Sequence, residues 1–430
     1  MKTVKFFTLG CKVNQYETQE IREGFIGAGY REIACGSKTK AGVYVINTCT
    51  VTHRADTDSL NLVRRVKREN PGAKIIVTGC LTELDEDKIK TAAASSLIVK
   101  NKHKTSIIDL LNGNKGNNHS PAGMGISGFS DHTRAFLKIQ DGCNNFCSYC
   151  KVPLVRGRSK SKPLKQIIRE GQCLVDKGFK EIVLTGICLG SYGKDLPSRD
   201  SLIDVVSSLE NLQGLLRLRL SSIEKSDIST KLLDQIAASK VVCPHLHIPL
   251  QSGDNRILKL MKRGYRAGDY LSLIKKVKTR IPGVAITTDV LVGFPGETEA
   301  NFENTLRLIE KIIPLKVHIF PYSRRPGTAA SRDFKAELPP PIIKERIRRT
   351  GAIADKCSLL YRDEFLGEEA SVLLEGRCKD DPACWEGYSA NYIKVRVRSE
   401  KHLANYLVRV RLEKVAADFI YAAKMKLLTK

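Results

Sequence analysis

The first third of the chain alternates short apolar runs with segments of helical periodicity. The apolar runs VKFFTLGC, AGVYVINTC and AKIIVTGC have the character of strands and end at Cys11, Cys49 and Cys80. Helical patterns lie between them, at 15–28 and 55–69. This strand–helix repeat predicts a parallel α/β sheet, which we place in a first domain spanning 1–115.

The middle of the chain continues the alternation with six further strand patterns. These occur at 134–140, 181–186, 215–221, 245–250, 284–292 and 316–321. Helical patterns intervene at 163–178, 228–238, 254–263, 267–280 and 297–313. Six β/α units, rather than eight, predict a partial (β/α)6 barrel that is open on one side, in a domain spanning 131–355. Chemistry in such barrels gathers at the carboxyl ends of the strands.

Beyond the barrel the pattern changes to short segments with a period of two, at 370–376, 391–398 and 405–412. They predict a small antiparallel β-barrel over 365–428. Its basic residues Lys394, Arg396 and Arg398 fall on one strand face, and Tyr388 and Tyr392 could stack on bases. The alternative is a solvated basic face that has no partner.

Charge and composition extend this picture. The 430 residues carry a net charge of +25, which favours a polyanionic partner, most commonly nucleic acid. The stretch 151–169 contains seven basic residues and no acid, and we expect its Arg156 and Arg158 to contact RNA. No apolar run is long enough to cross a bilayer, so we expect a cytoplasmic protein without a membrane span.

Thirteen cysteines in such a compartment are not expected to form a disulfide framework. Cys11, Cys49 and Cys80 each end a strand of one parallel sheet, so they should meet at the same rim. This favours a metal site over three unrelated buried cysteines. A second group, CNNFCSYC, places Cys143, Cys147 and Cys150 in the loop after the first barrel strand.

Three kinds of site use cysteines at close spacing, as in that second group. A c-type haem site needs histidine after the last cysteine, but Lys151 stands there. Structural zinc needs a fourth ligand, and none follows at a suitable spacing. An iron–sulfur cluster held by three thiolates keeps one iron free of protein ligands, and that iron can bind a small molecule.

The Cys-x3-Cys-x2-Cys spacing on the first loop of a β/α barrel resembles the radical S-adenosylmethionine (SAM) enzymes. The resemblance implies that SAM binds the free iron of a [4Fe-4S] cluster and is cleaved to a 5′-deoxyadenosyl radical. It also implies that the adenine of SAM lies against Tyr149. Further SAM contacts are expected from later strand ends, at Thr185, Gly186, Ser222, Glu224, Gln251 and Gly253. The alternative for each of these loops is an ordinary βα turn.

A narrower resemblance rests on several motifs that stand in order along the chain: TLGCKVNQYET, VINTCTVT, VTGC, CPHLHIPLQSGDNRILKLMKRGY, GFPGETE and FPYSRRPGT. Together they are similar to the radical SAM methylthiotransferases, which add a methylthio group to tRNA or to a ribosomal protein. The resemblance implies a second [4Fe-4S] cluster on Cys11, Cys49 and Cys80. It covers nearly the whole chain, and EGYSANYIKVRV resembles the RNA-binding TRAM domain.

The motif GCKVNQYET resembles the branch that acts on N6-threonylcarbamoyladenosine at position 37 of tRNA. This branch implies two SAM molecules per turnover. One methylates a sulfur carried by the first cluster, and the other yields the radical that takes hydrogen from adenine C2. We expect a monomer that binds tRNA and receives electrons from an external donor.

Two kinds of alternative remain open. The substrate could instead be isopentenyladenosine in tRNA or an aspartate of a ribosomal protein. A protein of another class, a non-catalytic iron–sulfur regulator that binds RNA, would yield no 5′-deoxyadenosine. The chain also departs from the family pattern at Cys188 and Lys225 and in a loop with Cys378 and Cys384, whose roles the motifs leave open.

Overall fold

The computed structural model of the protein describes residues 2–113, 125–130 and 132–428. The domain boundary expected at 115 and the core start expected at 131 lie outside the described residues. The domain limits therefore stay predictions. In the described part of the chain, no helix is long and apolar enough to cross a membrane.

The N-terminal part is a five-stranded parallel sheet with the order β2-β1-β3-β4-β5. The strands are β1 (Thr3–Thr8), β2 (Arg31–Glu32), β3 (Val43–Thr48), β4 (Lys74–Gly79) and β5 (Leu97–Val99). The helices are α1 (Lys12–Gly27), α2 (His53–Glu69), α3 (Glu86–Ala92) and α4 (Ile107–Leu111), with 3-10 turns at Cys80–Glu83 and Asn101–Ser106. The predicted parallel α/β sheet is confirmed, and α1 begins three residues earlier than its pattern indicated.

Helices cover both faces of this sheet, as the central strand β3 illustrates. All six of its residues are buried. Val43 and Val45 pack on one side with Phe25 of α1, while Tyr44 and Ile46 pack on the other side with α2. A strand buried on both faces is uniformly apolar, which explains the apolar run in the sequence.

The middle part contains six parallel strands that form an open barrel. In chain order these six are β6 (Arg134–Lys138), β9 (Glu181–Thr185), β10 (Arg217–Leu220), β11 (His245–His247), β12 (Ala285–Val292) and β13 (Lys316–Pro321). Two short strands between β6 and β9, β7 (Gln140–Asp141) and β8 (Lys160–Ser161), form a separate antiparallel pair. The parallel order is β6-β9-β10 and β11-β12-β13, joined by bridges at Leu218–Val242 and Ser222–His247. Among the described strands β6 and β13 have no mutual pairing, so the barrel is open between them.

Nine helices accompany these strands in the described part of the chain: α5 (Val152–Arg156), α6 (Leu164–Asp176), α7 (Leu202–Glu210), α8 (Thr230–Ala238), α9 (Asn255–Leu260), α10 (Ala267–Arg280), α11 (Glu299–Ile312), α12 (Ala329–Asp333) and α13 (Pro340–Asp363). The sequence pattern did not identify α7. A Ser201–Asp204 capping box begins it, and this pair was its clearest signal.

Helix α1 of the N-terminal sheet packs beside the edge strand β6. The Glu17 carboxylate is 3.3 Å from Lys138 Nζ of that strand. The Tyr16 hydroxyl donates to Glu170 of α6 at 2.6 Å and accepts from Lys162 at 2.8 Å. These contacts place the carboxyl rim of the N-terminal sheet next to the open side of the barrel.

The C-terminal part is a closed five-stranded barrel with the order β14-β15-β16-β18-β17. Its strands are β14 (Glu369–Arg377), β15 (Cys384–Ser389), β16 (Lys394–Arg398), β17 (Leu407–Val415) and β18 (Ile420–Leu427). The prediction of a wholly antiparallel barrel is wrong at one pair, since β16 and β18 run parallel. The sequence also missed β15, where Gly387 interrupts the apolar alternation. A Cβ at Gly387 would lie 2.0 Å from the Leu373 carbonyl oxygen.

Buried arginines join this C-terminal barrel to the starts of the parallel strands. Arg217 donates to the Tyr388 carbonyl at 2.9 Å, and Arg219 donates to the Ala390 carbonyl at 2.9 Å. Arg134 pairs with Glu375 at 2.5 Å. The small barrel therefore covers the end of the parallel barrel opposite to the cysteine loop.

Candidate active site

The three cysteines of the N-terminal sheet meet at one rim. Cys49 and Cys80 follow β3 and β4 directly, and Cys11 lies three residues beyond β1. The three strands are neighbours in the sheet, and all three cysteines line a single cavity. The convergence predicted from the strand ends is confirmed.

Two glycines allow this rim to close around the cysteines. Gly10 has a φ of +103°, and a Cβ there would lie 2.9 Å from the Cys49 Cβ. Gly79 has the same φ, and a Cβ there would lie 2.3 Å from the Thr48 carbonyl oxygen. Only glycine adopts this backbone conformation without strain and leaves the adjacent loop enough room.

The second triplet lies in the loop that follows β7. A hydrogen-bond donor approaches each of its sulfur atoms: Asn145 N lies 3.4 Å from Cys143 Sγ, Arg263 Nη1 lies 3.3 Å from Cys147 Sγ, and Val152 N lies 3.4 Å from Cys150 Sγ. Donors that point at a sulfur stabilise its thiolate form. At Cys150 the donor only partly offsets burial, which disfavours a charged sulfur.

The first triplet and Cys150 of the second line the same cavity, which encloses about 1020 Å³ including its mouth. Cys11, Cys49 and Cys80 line one side, and Cys150 and Tyr149 line the other. Burial raises the pKa of Cys49 and of Cys150 to about 11 each. These thiols must lose protons before they bind metal.

The distances between the sulfurs indicate whether each triplet could bind a single metal ion or a cluster. In the part of the chain that the structure describes, the only His, Cys, Asp or Glu group with three ligand atoms within 4.8 Å of one another is His247, Asp289 and His318. Neither cysteine triplet meets that limit. A single ion at about 2.3 Å from each sulfur needs sulfurs at most ~4.6 Å apart. Three wider-spaced thiols suit a cluster of several irons.

The predicted SAM contacts are only partly gathered at this cavity. Tyr149 and Gln251 line it, whereas Thr185, Gly186, Ser222 and Gly253 are not among its lining residues. A Cβ at Gly253 would lie 2.6 Å from the Thr305 Cα, so this glycine allows close packing on α11. The SAM roles of these loop residues stay predictions.

Glu224 lies near the second triplet because it pairs with a residue that the sequence motifs did not single out. It is paired with Arg263, whose guanidinium also reaches Cys147.

Cys188 is buried and accepts a hydrogen bond from the Ser191 hydroxyl at 3.1 Å. Its thiol also contacts Cys143, and this contact lowers the pKa of Cys143.

The residues predicted to bind RNA occupy different environments. The Arg156 side chain is 3% exposed and bonds Glu17 and Asp141, each at 2.9 Å. Tyr388 and Tyr392 stack on each other with ring centres 4.9 Å apart, and Tyr392 also stacks on His245. The RNA roles of Arg156, Tyr388 and Tyr392 stay predictions.

The remaining predicted RNA contacts lie nearer to solvent. Lys394 is 3.2 Å from Glu386, and Arg396 is 2.7 Å from Asp380, so both cations have acidic partners. Arg158 is exposed and lies two residues beyond α5. Of the six, Arg158 has the position best suited to a phosphate contact.

Sequence comparison connects this geometry to known proteins. Residues 137–309 match the description Radical SAM superfamily, and residues 3–100 match Uncharacterized protein family UPF0004. The chain is 36% identical to the threonylcarbamoyladenosine tRNA methylthiotransferase MtaB of Bacillus subtilis, over 97% of this chain and 95% of the relative. It is 39% identical to the protein of that name from Thermotoga maritima, over 92% of this chain and 91% of the relative.

The chain belongs to the radical SAM methylthiotransferase family. Another branch of this family is also similar: tRNA-2-methylthio-N(6)-dimethylallyladenosine synthase of Moorella thermoacetica is 34% identical, over 96% of each chain. Among solved structures, the radical SAM methyltransferase TsrM from Kitasatospora setae matches with a TM-score of 0.58. That match covers 77% of this chain and 76% of the other at 13% identity, and it supports the fold.

Proposed function

We propose that this methylthiotransferase places a methylthio group on C2 of N6-threonylcarbamoyladenosine in tRNA. One observation carries the proposal: all three cysteines of the N-terminal sheet line one cavity together with Cys150 of the barrel loop. Radical generation and sulfur delivery must act on the same carbon, so their two sites have to face a common space. The relatives named for this substrate support the choice of base.

The cofactor assignment follows from the two sets of thiols. Cys143, Cys147 and Cys150 would hold the cluster that binds SAM, and Cys11, Cys49 and Cys80 would hold the second cluster. When bound, these groups supply a 5′-deoxyadenosyl radical and a methylated sulfur, which acid–base chemistry of side chains cannot provide. Tyr149 would flank the adenine of SAM from its position on the cavity wall.

The cavity wall protects a reactive species from side reactions. Apolar side chains of Val51, Val155, Ile187 and Leu291 line it together with Phe320. Such a lining excludes water around the reacting carbon, and it limits quenching of the radical.

We propose that tRNA approaches the cavity mouth along exposed basic residues of 151–169 and the C-terminal barrel. Arg158 and Lys160 are exposed and follow α5, whose Val152, Val155 and Arg156 line the cavity. The net charge of +25 favours such contact with the phosphate backbone. The C-terminal barrel would act as a TRAM-like RNA-binding module, with Arg398 as an exposed cation that also pairs with Asp381.

The test is an anaerobic assay of the reconstituted enzyme with SAM and a reductant. Separate reactions contain tRNA bearing N6-threonylcarbamoyladenosine, tRNA bearing isopentenyladenosine, and the ribosomal-protein substrate. Mass spectrometry of nucleosides and peptides reads out methylthiolation, and chromatography reads out 5′-deoxyadenosine. We expect the methylthio product on the threonylcarbamoyl base. Product on another substrate alone would reassign the branch, and RNA binding without 5′-deoxyadenosine would favour the regulator.

A further inference from the structure

Two histidines and one aspartate meet on three neighbouring strands of the barrel. His247 lies on β11, Asp289 on β12 and His318 on β13, and β12 runs between the other two strands. The His247 Nε2 atom is 3.2 Å from Asp289 Oδ2, and the two imidazole centres are 5.7 Å apart. One ligand atom from each residue lies within 4.8 Å of the other two. Three potential metal ligands are thus gathered at one point.

Strand register explains this convergence. Asp289 is the parallel partner of His318, and Thr287, two residues before Asp289, is the partner of His247. Side chains two residues apart share a face of a strand, so all three ligands point to the same side of the sheet. Leu291, two residues beyond Asp289, lines the active-site cavity, as does Asp289 itself. The His–Asp–His group therefore lies at the floor of that cavity.

The hydrogen bonds of His247 present one of its ring nitrogens to this group. Its Nδ1 atom lies 2.9 Å from the Thr287 hydroxyl, and this contact orients the ring with Nε2 toward Asp289. Metal-binding histidines have the same arrangement, in which an oxygen partner on one ring nitrogen orients the other. Thr287 would thus support a ligand without touching the metal.

The other two side chains have bonding capacity that the protein does not use. Among the described residues, the His318 ring has no hydrogen-bond partner, and His247 is the only ion-pair partner of Asp289. A carboxylate has about four lone-pair sites, so Asp289 keeps acceptor capacity beside the His318 ring. An ordinary His–Asp ion pair would not need a second histidine, whereas a metal ion uses all three side chains.

The donor set suits a divalent ion of the zinc class. Imidazole nitrogen and carboxylate oxygen bind Zn²⁺ at about 2.0–2.2 Å, so the ligand atoms of a tetrahedral site lie about 3.4 Å apart. The 3.2 Å between His247 and Asp289 fits this spacing, and a small movement of the His318 ring would complete the site. Three protein ligands leave a fourth position for water or another oxygen ligand. Mg²⁺ and Ca²⁺, which prefer oxygen ligands alone, fit less well.

We propose that His247, Asp289 and His318 bind a divalent metal ion of the zinc class at the floor of the active-site cavity. The site shares no residue with either cysteine triplet and uses only nitrogen and oxygen donors. It goes beyond the proposed function, which requires no such ion. Because Asp289 lines the cavity, the fourth position can exchange water for a carboxylate or hydroxyl oxygen of a molecule bound there.

The first arm measures zinc in the reconstituted wild-type enzyme, whose clusters occupy the six cysteines. The enzyme is equilibrated with Zn²⁺, desalted under anaerobic conditions and analysed for zinc, and about one zinc per chain should remain. Such sites bind Zn²⁺ more tightly than Fe²⁺, so residual iron does not block the site.

Zinc K-edge X-ray absorption of the same sample identifies the ligands. It should show nitrogen and oxygen neighbours at about 2.0–2.2 Å and no sulfur at about 2.3 Å. Sulfur neighbours would place the zinc on cysteines and overturn the proposal, as would a wild-type enzyme that retains no zinc. This measurement needs no variant, so it stands even if a substitution in the barrel disturbs folding.

The second arm compares variants by equilibrium dialysis against buffered Zn²⁺, after iron analysis confirms that each retains its clusters. His318→Ala removes a ligand and should weaken zinc binding by more than about 100-fold, whereas Thr287→Val removes only the support of His247 and should weaken it about 10-fold. His103→Ala, at an exposed histidine of the Asn101–Ser106 turn, is the matched control and should bind zinc as wild type does.

Equal zinc affinity in wild type and His318→Ala overturns the site. Zinc binding is measured without tRNA, so its result is separate from that of the methylthiolation assay. The proposed function can fail while the metal site stands, and the metal site can fail while the function stands.

Discussion

The Arg156 guanidinium of the barrel domain donates to the Glu17 carboxylate of the N-terminal domain at 2.9 Å. Arg156 also donates to Asn14, which in turn bonds the carbonyls of Leu9 and Thr48 beside the first cysteine triplet. Arg156 thus links the two loops that carry the cysteines. These contacts align the two halves of the cavity, and the RNA contact predicted for Arg156 stays a prediction.

The first prediction concerns Glu17, whose carboxylate is shared by Lys104, Lys138 and Arg156. Glu17→Gln leaves Lys104 without a carboxylate partner and leaves Lys138 and Arg156 with Asp141 alone, so it should lower the free energy of unfolding by about 3 kcal/mol. Urea unfolding followed by circular dichroism measures this. Glu368→Gln, at an exposed acid, should change stability by less than about 0.5 kcal/mol.

The contribution of Glu17 to the free energy of unfolding should depend on pH. Burial acts to raise the pKa of Glu17, but the three cations lower it well below the ordinary 4.5. Its contribution is therefore complete above pH 4.5 and is lost as pH falls through the lower folded-state pKa. The stability gap between wild type and Glu17→Gln, measured on apoprotein, should be largest near neutral pH and close in acid. A gap that stayed constant down to pH 2 would contradict this account.

The second prediction concerns the triplet in the CNNFCSYC loop. Iron analysis of the reconstituted wild type should give about eight irons per chain, since each of two cubanes has four. Replacing Cys143, Cys147 and Cys150 by alanine should halve that number and abolish 5′-deoxyadenosine formation. Cys35→Ala with Cys173→Ala is the matched control and should retain both. Cleavage of SAM by the triple variant would show that another site binds SAM.

The third prediction separates the two triplets. Replacing Cys11, Cys49 and Cys80 by alanine should also halve the iron content, but reductive cleavage of SAM should remain measurable. Methylthiolated nucleoside should fall below detection, because no thiols remain to hold the sulfur-delivering cluster. Product at the normal rate would mean that sulfur comes from elsewhere.

The fourth prediction concerns RNA affinity. Arg158→Ala with Lys160→Ala should weaken tRNA binding about 10-fold and lower the slope of log affinity against log salt by up to about 2. Lys275→Ala with Lys311→Ala, at exposed lysines on outer helices, controls for net charge and should have little effect. Filter binding across a salt series measures both. An equal loss of tRNA affinity in the two double variants would indicate only a general effect of net charge.

Point variants are a cleaner test of RNA binding than removal of the C-terminal barrel. Deleting 365–428 would strip Arg217 and Arg219 of the carbonyl oxygens that they bond in that barrel. Both guanidinium groups would keep Glu181 but lose these acceptors, which destabilises the remaining barrel domain, so loss of tRNA binding could then reflect unfolding.

The local sequence pattern was sufficient to predict those features of the protein that depend on residues close together in the chain. Apolar runs that end in cysteine indicated parallel strands with thiols at their carboxyl ends, because a parallel sheet brings those ends together. The Cys143–Cys147–Cys150 spacing indicated a cluster loop, because the ligands come from one turn of chain. These predictions needed no knowledge of how the domains pack.

Tertiary structure alone decided which charged residues face the active site. Arg156 and Arg158 are two residues apart in one basic stretch, yet one is buried against Glu17 and the other is exposed. Composition cannot separate them, because burial of a charge depends on a partner 139 residues away in sequence. Long-range packing sets the local dielectric and the available partners, and these determine what a charged side chain does.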